Sequence, residues 1–270
     1  STVEQGRLHL RCGMQSLAEL DAILVRTMPP GTLEQVVARM DLLAGVEAQG
    51  VRIVNSPRSL ECAVDKYLTT QRLALAGLPV PDTIVCENMD AAMDAFERLG
   101  RDVVVKPLFG AEGRGIMRIS DPELAHRTFQ TLSRLGAVLY LQRFLNGPRF
   151  DLRLLCLDGR LIGSMKRIPR EGDFRANISQ QGIGVPHQPT ADEERLAFDA
   201  AKVTGAVLSP VLGLVSAFLI EANIGTANHG AVFAILAYLV VVLGAFKLIL
   251  RSQFTTRPAL ILTSILIGSV

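Results

Sequence analysis

Two lysines and a glycine-rich loop are the parts of this sequence best suited to chemistry. Lys106 closes the run Val103, Val104 and Val105, β-branched residues that favour extended chain, and Pro107 behind it bars a helix. A strand therefore delivers one cation to a loop. That loop holds Gly110, Gly113 and Gly115 within six residues, with Glu112 and Arg114 between them, before Ile116, Met117 and Ile119 resume strand character. Glycine has no Cβ, so such a chain can fold closely over a ligand and turn several N–H groups toward one anion, of which a polyphosphate is the natural example. No Gly-Lys-Ser/Thr follows, which excludes a Walker A loop, and no helix opens behind the glycines, which excludes the dinucleotide fingerprint. Standing alone, the stretch also reads as a glycine-rich hairpin with a solvated lysine.

The second lysine, Lys66, falls within a helix expected over residues 59–76 and closed by Gly77. The elements around the two lysines follow from periodicity and punctuation. Residues 20–25 read as a strand and Pro29-Pro30-Gly31 as a turn; Thr32 caps a helix whose apolar positions Leu33, Val36, Val37, Met40, Leu43 and Val46 recur at helical spacing. Residues 51–54 begin a second strand, which completes a βαβ pattern. Further strands are expected over 84–86 and 138–142, and helices over 89–99 and 122–134. Residues 150–157 and 160–166 are β-rich runs joined by Asp158-Gly159, a strong hairpin signal, and 191–202 is a charged helix.

Composition bounds the rest. The chain of 270 residues can hold one large or two ordinary domains, and its net charge of +2 advertises no surface for nucleic acid. Cys12, Cys62, Cys86 and Cys156 lie far apart with no C-x-x-C, which reads as buried, reduced thiols in a cytoplasmic protein. No signal peptide is expected in the polar residues 1–11. Beyond Lys202 only Glu221, Lys247, Arg251 and Arg257 carry charge, so a balanced body is joined to an apolar tail.

In order, DKYLTT, VVVKPLFGAEGRGI, LYLQRF, FDLRLLCLDGRLIGSMKR and GDFRANISQQG resemble the ATP-grasp ligases, and among them the RimK-like branch, which attaches amino acids such as glutamate to a carboxylate. The resemblance covers residues 20–205. It implies an α/β fold class with α+β lobes: an ATP-grasp fold at 58–205 clamping ATP, preceded by a partial pre-ATP-grasp α/β domain at 1–57 and followed by a hydrophobic helical segment at 206–270. Lys66 and Lys106 resemble the phosphate-binding lysines, and Gly110, Glu112, Gly113, Arg114 and Gly115 the lid over the phosphates. Leu141, Gln142, Arg143 and Phe144 resemble the segment whose backbone reads adenine. Asp151 would accept from ribose or adenine and Arg153 would face the acyl-phosphate. Arg167, Arg175 and Asn177 match the strands and turn that bring cations over the transferred phosphoryl group, although Arg167 also reads as a surface cation.

The resemblance implies a two-step reaction: a carboxylate attacks the γ-phosphate of ATP, and an amine then displaces phosphate from the acyl-phosphate to form an amide. Magnesium held by oxygen ligands is the implied metal, and the implied partners are ATP, an amino acid such as glutamate, and a carboxylate acceptor, either a small molecule or a protein C-terminus. Homo-oligomerisation stays open.

The family's closing pattern, an Asp and then Glu-x-Asn, is not matched cleanly. Glu221 and Asn223 have the Glu-x-Asn spacing a few residues early and are the candidate metal ligands, while an apolar residue near Leu212 stands where the aspartate is expected. The tail has a competing reading as membrane. Residues 203–220 and 231–250 are long runs with Lys247 as their one charge, and 259–270 is a third; the basic Lys247, Arg251 and Arg257 loop agrees with a cytoplasmic body and a membrane anchor. The two readings of Glu221 exclude each other. The alternatives to a ligase are therefore a membrane-anchored ATP-binding protein, a truncated or fused remnant without activity, or a tail from a multi-span transporter or prenyltransferase-like protein.

Overall fold

The computed structural model describes residues 1–25, 28, 31–110 and 113–209. The chain opens on two short antiparallel hairpins, β1 (Thr2–Glu4) with β2 (Arg7–His9) and β3 (Arg11–Cys12) with β4 (Gln15–Ser16). Then come β5 (Ala22–Leu24), α1 (Leu33–Ala48), β6 (Arg52–Val54), α2 (Pro57–Val64) and α3 (Lys66–Leu75). β7 (Thr83–Cys86), α4 (Met89–Arg98), β8 (Val103–Lys106), β9 (Met117–Ile119), α5 (Pro122–Arg134) and β10 (Leu139–Arg143) follow. The described chain ends with β11 (Asp151–Leu157), β12 (Arg160–Ile168), β13 (Ile183–Pro186), α6 (Ala191–Thr204) and β14 (Leu208–Ser209). Two compact units result, one of Ser1–Glu61, Leu154–Ser164 and Pro189–Val270, the other of Cys62–Arg153 and Met165–Gln188.

In the first unit β5 and β6 pair in parallel, with Ile23 opposite Ile53, and α1 connects them. Thr32 and Gln35 form a capping box at the start of α1, each side chain bonded to the other's backbone N–H, as the sequence suggested for Thr32. Leu43 and Val46 of α1 bury against Leu10, Leu17, Ile23, Val51 and Ile53. A smaller cluster joins Ala22, Leu24 and Val54 to Val207 and Leu208. The Asn55 amide clasps β14 at both ends of one peptide, donating to the Leu208 carbonyl at 2.7 Å and accepting the Leu208 N–H at 2.8 Å. β14 also pairs with β11, Leu208 opposite Leu157.

This corrects the reading of residues 203–220 as one apolar run. Val203 and Thr204 finish α6, Gly205 caps it in the left-handed conformation, and Leu208–Ser209 is a strand, so apolar side chains here serve a core. Among the described residues no helix is long and apolar enough to cross a membrane. The runs at 231–250 and 259–270 lie outside the described residues, as does the Pro29-Pro30 turn.

In the second unit β7, β10, β8 and β9 form an antiparallel sheet in that order, and α4 and α5 cover one face. Ala92, Ala95 and Phe96 of α4 and Ala125 and Phe129 of α5 bury against Val103, Val105, Ile119, Leu139 and Leu141, with the Phe96 and Phe129 rings edge to face at 6.3 Å. Asn88 and Asp121 cap the two helices through their side chains. β12 pairs antiparallel with β13 in this unit, Arg167 opposite Gly184.

The single helix expected over 59–76 is two. Asp65 leaves helical geometry and its carboxylate accepts the N–H groups of Tyr67 and Leu68, so it starts a new helix where periodicity alone saw a continuation. Lys66 becomes the first residue of α3 instead of a mid-helix side chain.

Candidate functional site

Alternation along the strands decides which side chains can meet. Val103 and Val105 of β8 enter the helix-covered core, so Val104 and Lys106 take the opposite face; Leu139 and Leu141 of β10 enter it too, which leaves Tyr140 and Gln142 on the face with Lys106. On that face Lys106 Nζ donates to Gln142 Oε1 at 2.5 Å. Lys66 arrives from α3. Its Nζ donates to the Gly110 carbonyl at 2.8 Å and the Leu108 carbonyl at 3.4 Å, at the start of the glycine loop.

The two ammonium groups feel each other. Burial lowers the Lys106 pKa from its ordinary value, and the neighbouring Lys66 charge lowers it further. Burial likewise lowers the Lys66 pKa, offset in part by Asp65. Among the described residues neither lysine has a carboxylate within ion-pair distance. Two half-buried, mutually repelling cations at a glycine loop form an anion site, because phosphate oxygens would relieve both the desolvation and the repulsion.

Gly113, Arg114 and Gly115 of the loop are described and Glu112 lies outside the described residues. Gly113 has φ +72°, and a Cβ there would come within 2.6 Å of Asn177 Oδ1, so glycine lets the loop lie directly against the Asn177 side chain. Asn177 follows a tightly held turn. Its carbonyl accepts the N–H groups of Gln180 and Gly182, and at Gly182 a Cβ would lie 2.6 Å from the Ala176 carbonyl oxygen.

The arginines fall into two groups. Arg167 is 4% exposed and grips Asp151 with two parallel N–H donors, one at 2.6 Å. That burial and pairing set aside its reading as a surface cation. Arg153 is half-buried beside them; burial first, then the Arg167 charge, lower its pKa, with Asp151 opposing. Among the described residues no hydrogen bond or ion pair is made by its guanidinium.

Arg175 is held by Asp173, which accepts its Nε at 3.1 Å, its Nη2 at 2.8 Å and its backbone N–H at 2.9 Å. These hydrogen bonds hold the Asp173 carboxyl well below the usual carboxylate range. Arg149 Nη2 donates to the Asp173 carbonyl at 3.0 Å. Between Asp173 and Arg175, the Phe174 ring meets Phe144 edge to face at 6.0 Å. The segment 173–177 thus touches Phe144 at one point and the glycine loop at another.

Arg143 and Phe144 do not join the lysines. Their backbone N–H groups donate to the Asp82 and Asp102 carbonyls at 2.9 Å, the Arg143 side chain pairs with Asp82 at 3.1 Å, and the Arg118 guanidinium stacks 3.5 Å from the Phe144 ring centroid. The donors expected to read adenine are therefore committed to the sheet edge. Sequence reasoning missed Asp173 and the side-chain role of Gln142. Asp173 carried a signal, an aspartate two residues ahead of Arg175 in an Asx-turn spacing. Gln142 carried none in its local sequence.

The described residues do not fit a magnesium site. No group of three or more His, Cys, Asp or Glu among them could hold a metal ion, and Asp151 and Asp173 are engaged by arginines. Glu221 and Asn223, the expected ligands, lie outside the described residues.

Comparison with known proteins now applies. The family model described as RimK-like ATP-grasp domain matches residues 63–222, and that of the prokaryotic glutathione synthetase N-terminal domain matches residues 7–61. The tetrahydromethanopterin:alpha-L-glutamate ligase of Methanosarcina acetivorans is 32% identical over 212 residues, covering 74% of this chain and 65% of that protein. The N-acetylaspartylglutamate synthase A of Homo sapiens is 29% identical over 208 residues, covering 76% of this chain and 53% of that protein. The chain thus spans less than two thirds of either relative. Among solved structures, the D-cycloserine synthetase DcsG superposes with a TM-score of 0.58 at 20% identity, over 75% of this chain and 69% of that one, a likeness of fold.

Proposed function

The chain belongs to the RimK-like ATP-grasp family, and from that premise we propose that it is an ATP-dependent carboxylate–amine ligase that adds glutamate to a carboxylate acceptor. The observation that carries this reading is the convergence of Lys66 and Lys106 at the glycine loop without a carboxylate to neutralise them. Glutamate as the amine follows from the names of the two relatives.

In the reaction the acceptor carboxylate oxygen forms a bond to the γ-phosphorus as the bond to the β–γ bridging oxygen breaks, which gives acyl-phosphate and ADP. The glutamate amine then attacks the acyl carbon, phosphate leaves with the electron pair, and the amine's proton passes to solvent. Lys66 and Lys106 hold the phosphates whose charge redistributes in the first step, and Gly110, Gly113, Arg114 and Gly115 close over them. Arg153 and Arg175 bear the charge of the transferred phosphoryl group, and Asn177 fixes the loop beside it. Asp151 serves by holding Arg167, so its part is to position a cation. Gln142, Arg143 and Phe144 shape the adenine end. Magnesium, where bound, would neutralise phosphate charge, and Glu221 and Asn223 remain its proposed ligands.

Incubating the full chain with ATP, magnesium, labelled glutamate and a panel of small di- and tricarboxylates and peptides with free C-termini tests the assignment. ADP release that requires both glutamate and one acceptor, with label appearing in an amide, is the expected result. Nucleotide binding with no ADP released for any pair would overturn it in favour of a non-catalytic ATP-binding protein.

A further inference from the structure

Gln142 stands at the head of a hydrogen-bond chain whose every proton can be assigned. The Thr83 hydroxyl donates to the Pro81 carbonyl at 2.8 Å, so its oxygen can only accept from Gln142 Nε2, 3.0 Å away. The Thr70 hydroxyl donates to the Lys66 carbonyl at 2.8 Å, so it must accept from the Tyr140 hydroxyl, also at 2.8 Å. Tyr140, its one proton used, accepts the second Gln142 Nε2 proton at 3.2 Å. Both amide protons then have acceptors, and Oε1 is left facing the Lys106 ammonium, which can only donate. The reversed amide would set Nε2 against the ammonium and Oε1 against two oxygens with no proton to give.

We propose that Gln142 is a positioning residue: its amide, oriented by Thr83 and Tyr140, fixes the Lys106 ammonium, and the Tyr140–Thr70 link ties that placement to the helix whose first residue is Lys66. The register supports it, since Tyr140 lies directly opposite Lys106 on one side of β10 and Gln142 opposite Thr83 on the other. Burial supports it too. Tyr140 is 2% exposed and Gln142 8%, so water does not substitute for a lost partner. Thr70 sits one helical turn beyond Lys66, with their link running along α3 itself. The two cations are therefore set at a fixed separation before any phosphate arrives.

This inference rests on the reading of both lysines as phosphate ligands, and the experiment separates the two. ATP affinity is measured by calorimetry on the full chain and on Tyr140→Phe, Lys106→Met and the double variant. Tyr140→Phe keeps the ring, and Thr70→Val breaks the chain at its far end should the first variant fold poorly. The expected result is a loss of about 3- to 10-fold in ATP affinity for Tyr140→Phe or Thr70→Val in the wild-type background, vanishing when Lys106 is already methionine. The same loss in both backgrounds, or no loss while Lys106→Met still weakens ATP, overturns the positioning role and leaves the nucleotide site standing. Unaltered affinity in Lys106→Met overturns both.

Discussion

Lys106→Met is expected to weaken ATP binding by about 100-fold or more, because it removes one member of a buried, charge-assisted contact with phosphate. The methionine keeps the apolar stem in place, so packing against the sheet survives. The fold itself should not suffer. Lys106 in the free chain is a desolvated cation beside Lys66, and removing it relieves a repulsion. A thermal midpoint at or above that of the wild type, together with the lost affinity from calorimetry, is the joint signature of a functional lysine. The pH dependence carries the same sign. Burial and Lys66 depress the Lys106 pKa in the free chain, and phosphate would raise it again, so binding takes up protons in the alkaline range. ATP affinity of the wild type should therefore fall as pH rises toward, but before it reaches, the ordinary lysine value, and Lys106→Met should lose most of that fall.

Arg175→Ala is expected to lower kcat by about 100- to 1000-fold with a smaller change in the KM for ATP, as for a cation that meets charge developing in the transition state. Asp173 already orients the guanidinium through Nε and Nη2, so the cation is held in place before substrate binds. Arg175→Lys should recover only part of the rate, since an ammonium cannot be gripped in two places. A second readout follows from Asp173. Its carboxyl is held below the usual range by Arg175, so this pair contributes stability that is complete above the ordinary Asp value and is lost as pH falls. Acid unfolding followed by circular dichroism should show that contribution missing from Arg175→Ala.

The legible parts of this chain were those governed by local rules. Val103 to Lys106 reads as a strand because three β-branched residues precede a lysine and a proline, and it is β8. Asp158 and Gly159 read as a hairpin turn, and both have positive φ between β11 and β12. Asp65 was misread because its helical neighbours dominate the periodicity, and only its capping bonds reveal that Lys66 begins a helix. The N-terminal hairpins escaped notice because strands of two or three residues carry no period, although Gln5-Gly6 and Gly13 mark their turns. The apolar residues at 207–208 suggested membrane because composition cannot tell a lipid-facing side chain from one packed on Ala22 and Val54.

The site divides along the same line. Residue types named both lysines, the glycines and Arg175, since cation and glycine chemistry is intrinsic to each. Gln142 and Tyr140 lie far from Lys106 in sequence and meet it only through the register of β10 on β8, which no local pattern encodes. Arg143 and Phe144 were expected to present N–H groups to a base, but strand pairing at the sheet edge had a prior claim on those donors.

Comparing the affinity of the full chain for ATP with that for AMP, before and after replacing Lys66 and Lys106 together by methionine, tests the central claim most directly. The account predicts that the wild type prefers ATP by at least about 100-fold and that the preference collapses in the double variant while AMP binding persists. Equal affinity for the two nucleotides in the wild type, or an undiminished preference without the lysines, would contradict it.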